Sequence, residues 1–74
     1  DLDVLDPAFA PGVGNPEAAG ITSRELFDLI DSFKDSKVTG VDIVELNPYH
    51  DNGATASLAA KIMSTMIAMN LSAS

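Results

Sequence analysis

The spacing of apolar residues along the chain predicts two amphipathic helices. Residues 22–25 read Thr-Ser-Arg-Glu, a capping box in which Thr22 and Glu25 accept hydrogen bonds from each other's backbone N–H groups at a helix start. A helix from Ser23 to about Asp35 follows, and a second one runs from Ala54 to about Leu71. The apolar stripes of the two helices consist of Leu26, Leu29, Ile30 and Phe33 in the first, and of Leu58, Ile62, Met66 and Met69 in the second.

Two shorter stretches predict β-strands. Residues 1–5 alternate acidic and apolar side chains, as a strand does, and Asp6-Pro7 ends the alternation. Residues 38–46 form a run rich in β-branched residues without clean alternation, which is typical of a parallel strand covered on both faces. Between the first strand and the first helix lies a loop with three prolines and three glycines, and a loop of this length is uncommon unless it is functional.

The order strand, loop, helix, strand, loop, helix indicates an α/β fold. A right-handed crossover would join two parallel strands, with helices packed on the sheet. A sheet covered on both faces needs more strands than this chain supplies, so the chain is expected to be part of a larger structure. The chain opens on Asp1 and lacks the basic and apolar regions of a signal peptide, so it is also expected to begin in mid-sequence.

The composition narrows the classes of partner. With 11 acidic against 4 basic residues the net charge is −7, which disfavours nucleic acid and anionic membrane surfaces and favours a cationic ligand. The most apolar tract, residues 58–71, is too short to span a bilayer, which takes roughly 20 residues. Cysteine is absent, so neither a disulfide nor a thiolate metal site can form, and a reducing cytosol fits.

Asp1 and Asp3 are candidate metal ligands. In a strand, residues two apart project to the same side, about 6 to 7 Å from each other. Carboxylates in this arrangement suit two hard divalent ions such as Mn²⁺ or Mg²⁺. Alone, the pattern is also typical of two acids at a strand end that face water.

Two other interpretations of the acidic start fit the sequence poorly. A calcium loop needs glycine at its sixth position and glutamate at its twelfth, where this chain has Asp6 and Gly12. A phosphatase of the haloacid dehalogenase kind needs a later lysine, and Lys61 lies on an apolar helix.

Glu45 is predicted to lie at the carboxyl end of the second strand, as Asp1 and Asp3 do on the first. Ligands of open α/β sheets bind at those ends. The three carboxylates are therefore expected to converge on one crevice.

Several ordered blocks of the chain resemble the ureohydrolase family of arginases and agmatinases. Residues 1–7, Asp-Leu-Asp-Val-Leu-Asp-Pro, are similar to the family signature that begins with Ser-x-Asp-x-Asp and ends with Asp-Pro. Gly-Asn-Pro-Glu at 14–17, Gly-Ile-Thr-Ser-Arg-Glu at 20–25 and Val-Asp-Ile-Val-Glu-Leu-Asn-Pro at 41–48 resemble further blocks in the same order. Ala-Phe-Ala-Pro-Gly at 8–12 is closer to the agmatinase branch than to arginase.

The resemblance implies a fold larger than this chain. Residues 1–74 would form the C-terminal β-loop-α-β-loop-α portion of a three-layer α/β/α fold with a mainly parallel sheet. They would be an incomplete part of a single ureohydrolase domain, inactive alone, with the remainder of the same protein as their partner.

The resemblance also implies roles for individual residues. Asp1 and Asp3 correspond to ligands of a binuclear manganese site with two Mn²⁺ ions, whose remaining ligands lie upstream. Glu45 corresponds to the carboxylate that holds the substrate guanidinium. Asn15 stands where many members have threonine, and it is either a substrate contact or a turn residue. His50 corresponds to a loop residue, not to a ligand.

The function implied by the resemblance is hydrolysis of a guanidino compound, with conversion of agmatine to putrescine and urea as the first expectation, which would serve polyamine biosynthesis. Arginine, guanidinobutyrate and formimidoylglutamate are alternative substrates. Family members are commonly cytoplasmic trimers or hexamers. A non-catalytic acidic α/β module that binds a partner through an exposed edge is the alternative from another class.

Overall fold

The computed structural model describes the backbone of residues 1–73 and the side chains of residues 1–71. Its regular elements are a short 3₁₀ helix at Leu2–Val4, helix α1 at Ser23–Asp31, a second 3₁₀ helix at Pro48–His50 and helix α2 at Ala54–Ala73. Both predicted helices are thus confirmed, while neither predicted strand is formed among the described residues.

The predicted first strand is wrong, because residues 2–4 form a 3₁₀ turn. The Asp1 carboxylate caps this turn by accepting a hydrogen bond from the Asp3 N–H at 3.1 Å. The same-side argument for Asp1 and Asp3 rested on strand alternation, and it does not apply to a capped turn. Their role as metal ligands therefore stays a prediction that the family resemblance supports.

The predicted second strand is also not formed as a strand among residues 1–73, where β-pairing is limited to two isolated bridges. Leu5 pairs with Ile21 in parallel, and Val13 pairs with Leu46 in antiparallel orientation. Val41 and Val44 are 42% and 44% exposed, so the expected cover on both faces is missing here. A ladder needs neighbouring strands on which to form, and a single extended segment does not provide them.

Helix α1 starts as predicted and stops four residues early. The Thr22 hydroxyl accepts from the Glu25 N–H and the Glu25 carboxylate accepts from the Thr22 N–H, both at 3.0 Å, which confirms the capping box. The helix ends at Asp31, and the Ser32 hydroxyl donates to the Leu29 carbonyl in its last turn. Ser side chains that bond backbone carbonyls in this way compete with continued helix.

The core lies between α2 and the loop that precedes α1. From α2, Ile62 is buried, and Leu58 and Met66 pack against the core as predicted. The apolar stripe predicted for the first helix is only partly correct, because Leu29 and Phe33 are about half exposed and Phe33 lies beyond the end of α1. No helix in the described part of the chain is long and apolar enough to cross a membrane. The buried apolar residues are Leu2, Leu5, Ala10, Val13, Ala59 and Ile62.

The long loop is held closed by Asp6. One oxygen of its carboxylate accepts from the Ala8 N–H at 2.9 Å, and the other accepts from the Ala19 N–H at 3.1 Å. The two ends of the loop meet there so closely that a Cβ at Gly20 would lie 2.6 Å from the Asp6 nitrogen. This loop is therefore a compact, ordered segment of the kind that carries functional residues.

Gly12 joins the loop to α2. Its N–H donates to the hydroxyl of the fully buried Thr55 at 2.8 Å, and its carbonyl accepts from the Asn47 N–H at 2.7 Å. A Cβ at Gly12 would lie 2.4 Å from Asp51 Cβ and 3.0 Å from Thr55 Cβ. Only glycine at position 12 allows the loop, the segment from Asn47 to Asp51 and the start of α2 to approach this closely.

Replacing Gly12 with alanine should lower the free energy of unfolding by about 1 to 3 kcal/mol, because the new methyl group overpacks against Asp51. Thermal or denaturant unfolding of the purified protein measures this change. Gly40→Ala is the matched control, since a Cβ there would meet no atom within 4 Å. Equal stabilities of the two variants would contradict this account of the junction.

Asp51 caps the N-terminus of α2. Burial acts to raise the pKa of its carboxyl group, but hydrogen bonds from the Thr55 and Ala56 N–H groups, the Thr55 hydroxyl and the Gly53 N–H outweigh it. The pKa is therefore lowered from its ordinary value of 3.8. The charged carboxylate favours the folded state because these donors and the helix dipole favour negative charge here.

The sign of this shift predicts how stability depends on pH. A lowered folded-state pKa gives stabilisation that is fully present above pH 3.8 and is lost as pH falls through the folded value. The stability advantage of the parent over Asp51→Ala should therefore be constant near neutral pH and shrink below pH 3.8, as followed by denaturant unfolding. Asp51→Asn is the control, because its advantage over Asp51→Ala involves no titrating group and should stay constant in acid.

Candidate functional site

The structure brings the first residues of the chain beside Glu45. The Leu2 N–H donates to the Val44 carbonyl at 3.2 Å, so the backbone of Asp1 and Leu2 lies next to that of Val44 and Glu45. The two predicted parts of the site are therefore neighbours in space although more than 40 positions separate them in sequence. The convergence of the three carboxylates on one crevice stays a prediction at the level of the side chains.

Asp1 and Asp3 have the donor chemistry of a site for hard metal ions. Asp1 is exposed and Asp3 is half-buried, and both offer carboxylate oxygens. One oxygen of Asp1 accepts the Asp3 N–H, and an ionised carboxylate has a second oxygen for a metal. Within the described residues, no group of three or more His, Asp or Glu side chains could hold a metal ion. These two aspartates fit part of a metal centre that needs further ligands.

Glu45 has an unusual backbone conformation. Its φ is 74°, in the left-handed region that non-glycine residues adopt rarely and at a cost. Such residues persist where surrounding contacts hold them, and they cluster at functional sites. Here the Val13–Leu46 bridge lies immediately after Glu45, and the Glu45 carbonyl accepts from the Gly14 N–H at 3.3 Å.

Gly14 supports the Glu45 side chain directly. A Cβ at Gly14 would lie 2.9 Å from Oε2 of Glu45, so the carboxylate rests against the bare glycine backbone. Asn15 follows Gly14, and it is exposed beside this contact. Asn15 therefore lies one residue from the Gly14–Glu45 contact, and its role as a substrate contact or as a turn residue stays a prediction.

His50 holds the peptide on which Glu45 rests. Its Nδ1 lies 2.9 Å from the Val13 carbonyl oxygen. Since a carbonyl can only accept, Nδ1 carries the proton in this bond. Sequence reasoning assigned His50 to a loop and missed this contact, because no local pattern connects positions 13 and 50.

Comparison with known proteins identifies the family. The Arginase family model matches residues 1–69. An agmatinase from Escherichia coli is 45% identical over 60 residues, which cover 81% of this chain and 20% of that protein. Proclavaminate amidino hydrolase from Streptomyces clavuligerus superposes with a TM-score of 0.95 at 40% identity, covering 100% of this chain and 25% of that one.

A second similar structure carries a metal. It is an arginase-like protein from T. brucei, a triple mutant bound with Mn²⁺, with a TM-score of 0.81 and 40% identity over 90% of this chain and 24% of that one. This chain thus spans between about a fifth and a quarter of the length of these proteins. The structural neighbours have α/β folds, which confirms the predicted class, and the family match confirms the resemblance. The chain belongs to the arginase family.

Proposed function

We propose that this chain supplies part of the active site of a ureohydrolase that cleaves a guanidino compound. The observation that carries the proposal is the position of Asp1 and Leu2 beside Val44 and Glu45, within a segment that the family model matches over residues 1–69. The backbone segments that carry the two candidate metal ligands and the candidate substrate-binding carboxylate are therefore neighbours. Residues 1–74 form an incomplete part of one domain, and the rest of the protein completes the site.

Asp1 and Asp3 would hold two Mn²⁺ ions together with ligands from the rest of the protein. When bound, such ions lower the pKa of a coordinated water and so provide hydroxide near neutral pH. The triple mutant of the T. brucei arginase-like protein that is bound with Mn²⁺ and the hard oxygen donors of both aspartates support this choice of metal.

Glu45 would bind the substrate guanidinium. A carboxylate and a guanidinium form two parallel charge-assisted hydrogen bonds, which fix the orientation of the cation as well as its position. Glu45 is exposed, its backbone is left-handed, and its Oε2 lies against Gly14. This arrangement would place the carboxylate where it can orient the cation, and such orientation accelerates attack on the bound carbon. Asn15, exposed beside this contact, would add a hydrogen bond to the same substrate.

Agmatine is the first substrate to test, with putrescine and urea as products. The relatives do not share one substrate, since at 45% and 40% identity one is an agmatinase and the other a proclavaminate amidino hydrolase. The Glu45 carboxylate would bind the guanidinium group of the substrate. Other loops of the protein would contact the far end of the substrate and so determine which compound is cleaved. Arginine, guanidinobutyrate and formimidoylglutamate complete the set of candidates.

The proposal is tested by incubating the full-length, Mn²⁺-loaded protein with each of these four compounds and measuring product release. We expect urea from agmatine, with loss of activity after chelation and recovery with Mn²⁺. Urea release from arginine or guanidinobutyrate would revise the substrate and retain the reaction class. Formamide release from formimidoylglutamate, which has a formimidoyl group instead of a guanidino group, would replace the guanidino substrate with a formimidoyl one. No turnover of any of them by correctly folded, manganese-loaded protein would contradict the proposal and favour a non-catalytic binding module.

We further propose that the full-length protein works in the cytoplasm as a homo-oligomer, either a trimer or a hexamer. None of these 74 residues is cysteine, which fits a reducing compartment. Apolar side chains that are about half exposed, such as Leu29, Phe33 and Ile67, provide surface for the remainder of the protein or for other subunits. Light scattering of the full-length protein measures its subunit number directly.

A further inference from the structure

We infer that Gly14 and His50 are positioning residues for the Glu45 carboxylate, an inference that rests on the proposed function of Glu45 in binding a guanidinium. Gly14 sets where the carboxylate lies by having no side chain, and His50 fixes the peptide to which Gly14 belongs. Neither residue needs to touch the substrate.

The contact between Gly14 and Glu45 is closer than a side chain allows. A Cβ on Gly14 would be 2.9 Å from Oε2 of Glu45, a separation at which one of the two atoms must move. The nearest atom is the far end of a flexible side chain, so the carboxylate would move and the backbone would not. An alanine at Gly14 therefore displaces the group that binds substrate while leaving the fold in place.

The backbone around Gly14 is fixed from two sides. The Gly14 N–H donates to the Glu45 carbonyl at 3.3 Å, and Val13 is bridged to Leu46. Across the loop, Nδ1 of His50 donates to the Val13 carbonyl, the oxygen of the peptide that joins Val13 to Gly14. Val13 is fully buried, so water does not compete for the polar groups of this peptide. Its hydrogen bonds are therefore stronger than they would be in water.

His50 reaches this peptide because of the turn on which it lies. The 3₁₀ helix Pro48–His50 is capped by Asn47, whose side-chain oxygen accepts from the Tyr49 N–H at 3.0 Å. Asn47 itself donates its backbone N–H to Gly12. The imidazole is thus presented to Val13 by a turn that is anchored to the same loop, so loss of the ring removes one bond and leaves the turn intact.

Kinetics of the full-length, manganese-loaded enzyme test the inference through Gly14→Ala. We expect KM for the guanidino substrate to rise about tenfold, since small displacements of a positioning group cost one to two orders of magnitude. Bound manganese and the melting temperature should match the parent. Gly40→Ala, where a Cβ meets nothing within 4 Å, is the matched control and should leave KM unchanged.

A double-mutant cycle separates positioning from a general structural effect. If Gly14 acts through the Glu45 carboxylate, Gly14→Ala should raise KM much less in a Glu45→Gln background than in the parent. The same rise in both backgrounds would overturn the inference. So would an unchanged KM in Gly14→Ala alone.

His50 provides an independent arm of the test. His50→Ala should raise KM in the same direction as Gly14→Ala, and His50→Asn should restore it in large part, because the asparagine amide can donate to the Val13 carbonyl. Equal KM values for His50→Ala and the parent would remove His50 from the inference. A parent enzyme without any guanidino hydrolysis would instead overturn the proposed function, and with it this inference.

Discussion

Asp3→Ala in the full-length, manganese-loaded enzyme should lower kcat/KM by about 1,000-fold or more and reduce the manganese bound per subunit. A metal ion stabilises the charge that develops in the reaction by several kcal/mol, and each 1.36 kcal/mol is a factor of ten in rate. Asp3 is half-buried, and it contributes to the capped turn through its backbone N–H, which donates to the Asp1 carboxylate. Removal of its carboxylate therefore takes away a candidate ligand and preserves the turn.

Metal content separates this interpretation from a loss of folding. Manganese measured by elemental analysis should fall in Asp3→Ala, while the melting temperature of the metal-free protein should match that of the metal-free parent. Asp28→Ala, which removes one exposed carboxylate from α1, is the control and should retain both metal and activity. Full manganese occupancy in Asp3→Ala would show that Asp3 is not a ligand.

The helices could be predicted from the sequence because their signals are local. The capping box at Thr22 and Glu25 and the stripe through Leu58, Ile62 and Met66 depend on neighbours within four residues, and the structure reproduces both. The strands could not be predicted in the same way. Residues 1–5 have the alternation of a strand, but a ladder needs neighbouring strands, and in their absence Asp1 caps a 3₁₀ turn instead.

In the candidate site, too, the sequence predicted some features and missed those that depend on distant residues. The sequence pointed to Asp1, Asp3 and Glu45, and the backbone of Asp1 does lie beside that of Glu45. The supporting contacts of Gly14 and His50 were not predicted, because they join positions 31 and 37 residues apart, and no pattern in a local window records such a pairing. The left-handed conformation of Glu45 was missed for a related reason: glutamate is a residue type that ordinarily avoids it.

Glu45→Gln should lower kcat/KM of the full-length enzyme by about 30-fold or more. Loss of one partner of a charge pair that is buried in the complex costs about 2 to 5 kcal/mol, and each 1.36 kcal/mol is a factor of ten. Glutamine keeps the size of the side chain and removes its charge, so bound manganese should not change. Glu17→Gln is the matched control, an exposed glutamate of the preceding loop whose replacement should leave activity unchanged. Activity close to the parent in Glu45→Gln would show that Glu45 does not bind the guanidinium.

A second pair of substitutions tests why glutamate is tolerated at this position. Glycine adopts the left-handed region without steric cost, whereas alanine, like glutamate, pays for it. In denaturant unfolding, the free energy of unfolding of Glu45→Gly should therefore exceed that of Glu45→Ala by about 1 kcal/mol or more. Both variants should lose activity. Such a result means that the protein gives up stability to place a carboxylate over Gly14, which is the expected behaviour of a residue that serves binding. Equal stabilities would show that the backbone relaxes at this position and that no strain is held there.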